Sequence, residues 1–272
     1  MVAALLVSTV AAFFSCWGLL RLTGAGLSDV GRLYPLLLVC VWPTSFVLLA
    51  GYADSLTLAL ALWAVALARE ARWEAATACG LLAGIVRPTG VLVFLPLAVM
   101  ALRSRQARSL VVALTPLGLL SYWGWLRWSG RLSVVEAYRL YQGMTMVAPW
   151  RGLADAVRLI VTAHDTLLAI KLGLVIMVAV ISLRRQARAE FPNPVRIEDK
   201  AFAVAVILQM LMYTGRPLLG AARYTLMVYP VFLVGGTYAE RWSGRQLGFY
   251  VIALGFLNLA WMWAFLNWSL VL

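Results

Sequence analysis

The sequence predicts an all-α, polytopic transmembrane helical bundle. It has about eight full spans and one broken or re-entrant helix pair, in a single transmembrane domain over residues 1–272. Three observations predict this. Hydrophobic residues make up 63% of the chain and charged residues only 12%, against roughly a quarter in a typical soluble domain. The mean hydropathy is +0.88, and a soluble fold of this size cannot hide that much apolar surface. Apolar stretches near about 20 residues, the length that crosses a bilayer as a helix, recur along the whole chain. Together these exclude a soluble domain, a nucleic-acid-binding module and a disordered tail.

The apolar runs are 2–20, 33–50, 56–68, 75–86, 91–102, 109–126, 166–183, 201–214, 222–239 and 247–270. Backbone polar groups in lipid must be satisfied internally, so each run is expected to be helical. The first run is no signal peptide: it lacks a basic leading region, and its first cation, Arg21, follows the apolar stretch. Runs 75–86 and 91–102 are each too short to span at about 1.5 Å per residue. Only Arg87-Pro88-Thr89-Gly90 separates them, and proline, glycine and arginine together predict a break. Gly80 and Gly84 sit at the small-xxx-small spacing of closely packed helices. Residues 127–164 form one long external segment rich in Trp and Tyr, expected to lie at the membrane interface. The chain shows no internal repeat.

Cysteines and histidine carry little chemistry. Cys16, Cys40 and Cys79 all lie inside apolar runs and form no C-x-x-C pair. His164 is the one histidine, so no histidine-based metal site is expected, and no metal is assigned. His164-Asp165 reads as an ordinary helix start, with the carboxylate near the positive end of the helix.

The net charge of +12 has a topological explanation. Loops 21–32, 69–73, 103–108, 184–200 and 241–245 carry fourteen Lys and Arg; the alternate set 51–55, 87–90, 127–164 and 215–223 carries eight. By the positive-inside rule the first set is cytoplasmic and both termini are outside. Arg184-Arg185-Gln186-Ala187-Arg188 is a cytoplasmic anchor in this scheme, and Lys171 lies within a helix without an assigned role. No nucleic-acid partner is needed. Short loops and the lack of a eukaryotic sorting signal point to a prokaryotic plasma membrane. Asn267-Trp268-Ser269 matches a glycosylation sequon but lies too near the last span to serve as an acceptor.

In that topology three polar clusters fall on the outer face: Tyr52-Ala53-Asp54-Ser55, Arg87-Pro88-Thr89-Gly90 and Arg223-Tyr224. They sit at the outer ends of different helices and can converge on one outward cavity. Charges at membrane depth are costly unless paired or functional, and guanidinium matches phosphate with a rigid fork of donors. A phosphate-bearing anionic substrate is therefore expected. The competing structural roles are a helix cap for Asp54 and snorkelling for Arg87 and Arg223.

Trp42-Pro43-Thr44-Ser45-Phe46, then Tyr52-Ala53-Asp54-Ser55, then Arg87-Pro88-Thr89-Gly90 resembles the membrane mannosyltransferases of the PIG-V type, the GPI mannosyltransferase II family and its prokaryotic relatives. The Gly118 region, Pro149-Trp150 and Arg223-Tyr224-x-Leu226-x-x-Tyr229-Pro230 extend the resemblance over residues 3–240. It implies a GT-C fold, no nucleotide-sugar domain, and polyprenyl-phosphate mannose as donor substrate with no further cofactor. The acceptor would be a glycolipid, a glycan or a protein. The implied reaction moves mannose with inversion at C1, a carboxylate taking the acceptor's proton and cations stabilising the leaving phosphate. On these positions Asp54 is the catalytic candidate, and Tyr52, Arg87, Thr89, Arg223 and Tyr224 are the substrate-binding candidates. The family carries glutamate where this chain has Asp54. It also begins with a helix and an acidic outer loop that precede the first run here, so the sequence reads as N-terminally truncated. The alternatives are a transporter or lipid flippase, built on broken helices near the midplane, or a non-catalytic remnant of the fold.

Overall fold

The computed structural model describes residues 2–23, 28–184 and 195–267. Among these, helices α1 (Val2–Leu22), α2 (Tyr34–Val41), α3 (Asp54–Arg69), α4 (Trp73–Val86), α5 (Phe94–Ser104) and α6 (Leu117–Trp128) come first. They are followed by α7 (Val134–Gln142), α8 (Pro149–Ala163), α9 (Thr166–Leu183), α10 (Ile197–Met210), α11 (Ala221–Tyr224), α12 (Pro230–Ala239) and α13 (Gly244–Leu266). Among the described residues four helical segments are long and apolar enough to cross a membrane: Val2–Leu22, Ala107–Trp128, Thr166–Leu183 and Gly244–Leu266. Four more are apolar but shorter: Gly31–Val41, Trp73–Val86, Pro88–Ser104 and Pro230–Ala239. The sequence reading counted about eight full spans. Four runs fall short: two, 56–68 and 201–214, form helices of only 16 and 14 residues, α3 and α10, and two looked continuous by hydropathy and are cut by proline. Run 33–50 ends as α-helix at Trp42, before Pro43, and resumes as a 3-10 turn at Ser45–Leu48. Run 222–239 divides before Pro230 into α11, a 3-10 turn and α12. Proline removes an amide donor and clashes with the preceding turn, so each of these runs becomes short helices.

Helix α3 is the axis of the packing. Its inner positions are small or branched, Ala59, Ala61, Ala64, Val65, Ala66 and Ala68 among them, and all are buried. Small side chains let neighbouring backbones approach closely. Helix α1 runs alongside α3, with Gly18 against Leu62. The hydroxyls of Ser8 and Ser15 donate to the carbonyls of Tyr52 and Ser55 at 3.2 and 3.0 Å. A tight turn at Ala71, which adopts the left-handed conformation, returns the chain as α4. The Gly80/Gly84 spacing does what it predicts: a Cβ on Gly80 would press on Thr115 at 2.7 Å, and Gly84 lies against the backbone of Gly118 and Leu119.

Residues 127–164 are not an open loop. They fold into α7, a two-residue strand β1 (Thr145–Met146) and α8, and β1 pairs antiparallel with β2 (Tyr213–Thr214). This short ladder is the departure from an all-α chain. Ser133 caps α7 reciprocally with Glu136. Several large aromatics here stay exposed, Trp128 at 87% and Trp150 and Tyr141 above 70%, which suits an interfacial position for amphipathic rings. Asp165 caps α9 by accepting from the Leu168 amide at 2.9 Å, the helix-start role expected of it. Lys171 is buried within α9. Of the basic anchor, residues 185–188 lie outside the described residues; so do Trp268 and Ser269 of the sequon, while Asn267 closes α13.

Candidate functional site

Two local devices place the arginines. Arg87 closes α4 in an extended conformation, φ −155° and ψ 137°, because the residue before a proline is driven out of the helical region. Pro88 then opens a 3-10 turn, Pro88–Val93, with the Gly90 amide donating to the Arg87 carbonyl at 2.8 Å. A Cβ on Gly90 would collide with the Ala83 carbonyl, so the fold-back over the end of α4 requires glycine. Arg223 is held from a different direction. The Trp42 indole donates to Thr225 Oγ1 at 2.9 Å, and the Thr44 hydroxyl donates to the Ala222 carbonyl at 3.0 Å. The Trp42-Pro43-Thr44 segment thus clamps the α11 turn that carries Arg223 and Tyr224.

These devices bring the residues together on Asp54. Asp54 is the first residue of α3, and it does not cap that helix: the N-cap is Ala53 and no side-chain cap bond forms. Its Oδ1 instead accepts from Arg87 Nη1 and lies 3.8 Å from Arg223 Nε. The second contact is an ion pair without a hydrogen bond, and Arg223 Nε accordingly has no bonding partner. Arg87 Nη2 donates to Tyr224 Oη at 2.9 Å. The guanidinium carbons of Arg87 and Arg223 sit 4.7 and 5.5 Å from the centre of the Tyr224 ring, and Arg223 also lies 5.2 Å from that of Tyr52, within the range of cation–π attraction. Neither arginine snorkels; their side chains are 13% and 14% exposed. Two guanidiniums therefore share one carboxylate, and the cluster keeps one surplus positive charge. Asp54 Oδ2, Ser55 Oγ and Thr89 Oγ1 are buried without partners. No bond joins Thr89 to the cluster among the described residues.

A cavity of about 230 Å³ borders this cluster, lined by Tyr138, Gln142, Tyr213, Arg216, Arg223 and Tyr224 among others, with no acidic residue in its wall. Its far side is the 127–164 segment, held down by the β1–β2 ladder and by Gly215, whose amide donates to Asp155 Oδ2 at 3.3 Å. Sequence reasoning missed Tyr138, Gln142, Tyr213 and Arg216. Only the aromatic density of the external segment hinted at the first.

A second buried charge cluster lies at the other end of α3. Arg69 donates to Asp199 Oδ2 at 2.5 Å and approaches Glu198 at 3.9 Å. Asp199 also accepts from the Tyr229 hydroxyl at 2.5 Å and the Arg196 amide at 2.7 Å. Two adjacent acids opening an apolar run were its only trace in the sequence. Among the described residues no three His, Cys, Asp or Glu side chains gather as metal ligands. Compared with models of known protein families, with curated proteins and with solved structures, the chain matches none.

Proposed function

We propose that this chain is a glycosyltransferase of the GT-C type that moves a hexosyl group, mannosyl by the resemblance, from a polyprenyl-phosphate donor to a glycolipid, glycan or protein acceptor. The reaction takes place at the outer face of a prokaryotic plasma membrane, which the chain crosses in about eight full spans, with α4 and α5 as one broken helix pair. The observation that carries the reading is the buried cluster of Arg87 and Arg223 on the single carboxylate of Asp54, with a surplus positive charge beside a cavity free of acids. A lipid phosphate supplies the missing anion, and desolvated guanidiniums bind it far more strongly than they would in water.

In the reaction the acceptor hydroxyl attacks C1 as the C1–O bond to phosphate breaks, inverting the centre. The leaving phosphate takes the electron pair and is stabilised by Arg87 and Arg223. Asp54 orients both guanidiniums through Oδ1, and its Oδ2, which has no hydrogen-bond partner, is the oxygen assigned the acceptor's proton. Tyr52 and Tyr224 hold the arginines by ring contacts. The test is transfer from polyprenyl-phosphate mannose by wild type and Arg87→Ala. The variant is expected to lose transfer per folded molecule beyond any loss of folded yield, and unchanged turnover per folded molecule would sink the assignment. A wild-type chain that binds donor but transfers nothing would instead be a non-catalytic member of the fold.

The transporter or flippase reading has one observation in its favour: α3 carries a buried charge cluster at each end, beside the helix broken at Arg87. Cysteine-labelling of positions 54 and 87 from both sides of the membrane would support it, whereas labelling from the outer side alone supports the enzyme.

A further inference from the structure

The cavity beside the arginines is small. At about 230 Å³ it lies below the ~300–1,000 Å³ of pockets for drug-sized ligands, a size that suits a single sugar ring. Its wall is chemically suited to such a ring. Tyr138 and Tyr213 meet edge to face with centroids 6.1 Å apart, so one of the two rings keeps both faces clear of its partner. The electron-rich face of a phenol ring attracts the polarised C–H groups of a pyranose. Burial pushes the Tyr138 phenol up to about 12, so it stays neutral and able to donate. The half-buried side chain of Gln142 makes no hydrogen bond among the described residues, and it brings both a donor and an acceptor to a cavity otherwise rich in donors; the Tyr213 hydroxyl accepts from Gln209 Nε2 at 3.5 Å. Arg216 likewise has no carboxylate partner among the described residues and adds a second cation to Arg223 in this wall.

We propose that this cavity is the subsite for the single hexose ring of the phosphate-bearing donor, with Gln142, Tyr138 and Tyr213 as the residues that distinguish a sugar-bearing lipid phosphate from a bare one. The inference rests on the proposed glycosyltransferase reading, because the phosphate is placed on Arg87 and Arg223. It assigns the external segment a part in the site: α7 carries two of the three residues, and the β1–β2 ladder brings the third against them.

The experiment measures equilibrium binding of polyprenyl phosphate and of polyprenyl-phosphate mannose to the full chain in lipid nanodiscs. Wild type is expected to prefer the sugar-bearing lipid by about tenfold or more, since a site built to hydrogen-bond hydroxyls penalises a ligand that lacks them. Gln142→Ala is expected to lose about 5- to 10-fold of that preference, the worth of one hydrogen bond, while its affinity for polyprenyl phosphate stays put. The Gln142 side chain makes no hydrogen bond among the described residues, so this variant keeps its structure; Tyr138→Ala serves as the second probe and is expected to behave in the same way. Arg87→Ala is expected to weaken both lipids together. If wild type binds the two lipids equally, or if both pocket variants discriminate as well as wild type, the subsite assignment is overturned while the reading of the arginines stands. If wild type binds neither lipid, or binds both independently of Arg87, the glycosyltransferase reading fails and the subsite falls with it.

Discussion

Replacing Asp54 by alanine strands two buried guanidiniums. The carboxylate side chain is 2% exposed and the arginines 13% and 14%, so water screens the pairs weakly. At about 4 Å and an effective dielectric near 20, each pair has a gross attraction of about 4 kcal/mol. Much of this is cancelled by desolvation, and removing one partner of a buried pair costs a net ~3–5 kcal/mol. For a chain of this size that corresponds to a melting temperature lower by about 6–20 °C. The assay is thermal unfolding of the detergent-solubilised protein with and without polyprenyl phosphate. An anion seated on the stranded arginines restores stability, by about 2.7 kcal/mol at a hundred times its dissociation constant, so Asp54→Ala should gain more from the lipid than wild type does. Asp54→Asn keeps the shape and removes the charge, and is expected to fall between the two. An Asp54→Ala protein that melts within about 1 °C of wild type would refute the electrostatic argument. A variant that melts early but gains nothing from the lipid would refute the placement of an anion there.

Gly90→Ala drives a methyl into the Ala83 carbonyl and should destabilise the fold-back by about 1–3 kcal/mol; circular-dichroism melting checks this, and wild-type stability would mean the turn tolerates a Cβ. Tyr229→Phe deletes a buried hydrogen bond to a carboxylate, with an expected loss of about 1.5–3 kcal/mol in the same measurement. Tyr138 titrates at about 12 when folded against an ordinary value near 10. The folded chain therefore binds the proton more tightly, and the associated stability is full below pH 10 and lost as pH rises from about 10 to 12. Tyr138→Phe should flatten stability across that window, and an unchanged alkaline profile would show that the phenol is not enclosed.

Much of this fold was legible where hydropathy and helix coincide. The runs 2–20, 166–183 and 247–270 correspond to α1, α9 and α13, because nothing inside them interrupts a helix. The break at Arg87-Pro88-Thr89-Gly90 was legible for a local reason: proline fixes the residue before it, and glycine admits the close approach that follows. Run 109–126 was less transparent. It begins as a 3-10 stretch, Ala107–Leu114, and becomes α-helical only after Pro116, a difference of backbone geometry that leaves apolar composition unchanged. The convergence of Asp54, Arg87 and Arg223 could be guessed from topology, since each ends a helix on the same side. The Arg69–Asp199 pair left a weaker trace: loops 69–73 and 184–200 fall in one set by the same topology, but each holds several charges and no periodicity marks which of them pair. Gln142 and Tyr213 were hidden for the same reason: a two-residue ladder, too short to leave an alternating pattern, brings their segments together.

The two ends of α3 also differ in when they can be completed. Asp54 meets Arg87 only 33 residues later in the chain, so that contact is available while the first helices are still being made. Arg69 must wait 130 residues for Asp199, which at a synthesis rate of about 5–20 residues per second is about 6–26 s. Through that interval a guanidinium destined for burial has no lasting carboxylate. Until α10 emerges, water or lipid headgroups solvate it. A chain halted before residue 199 would therefore hold the Asp54–Arg87 pair while its opposite end still carried an unburied charge.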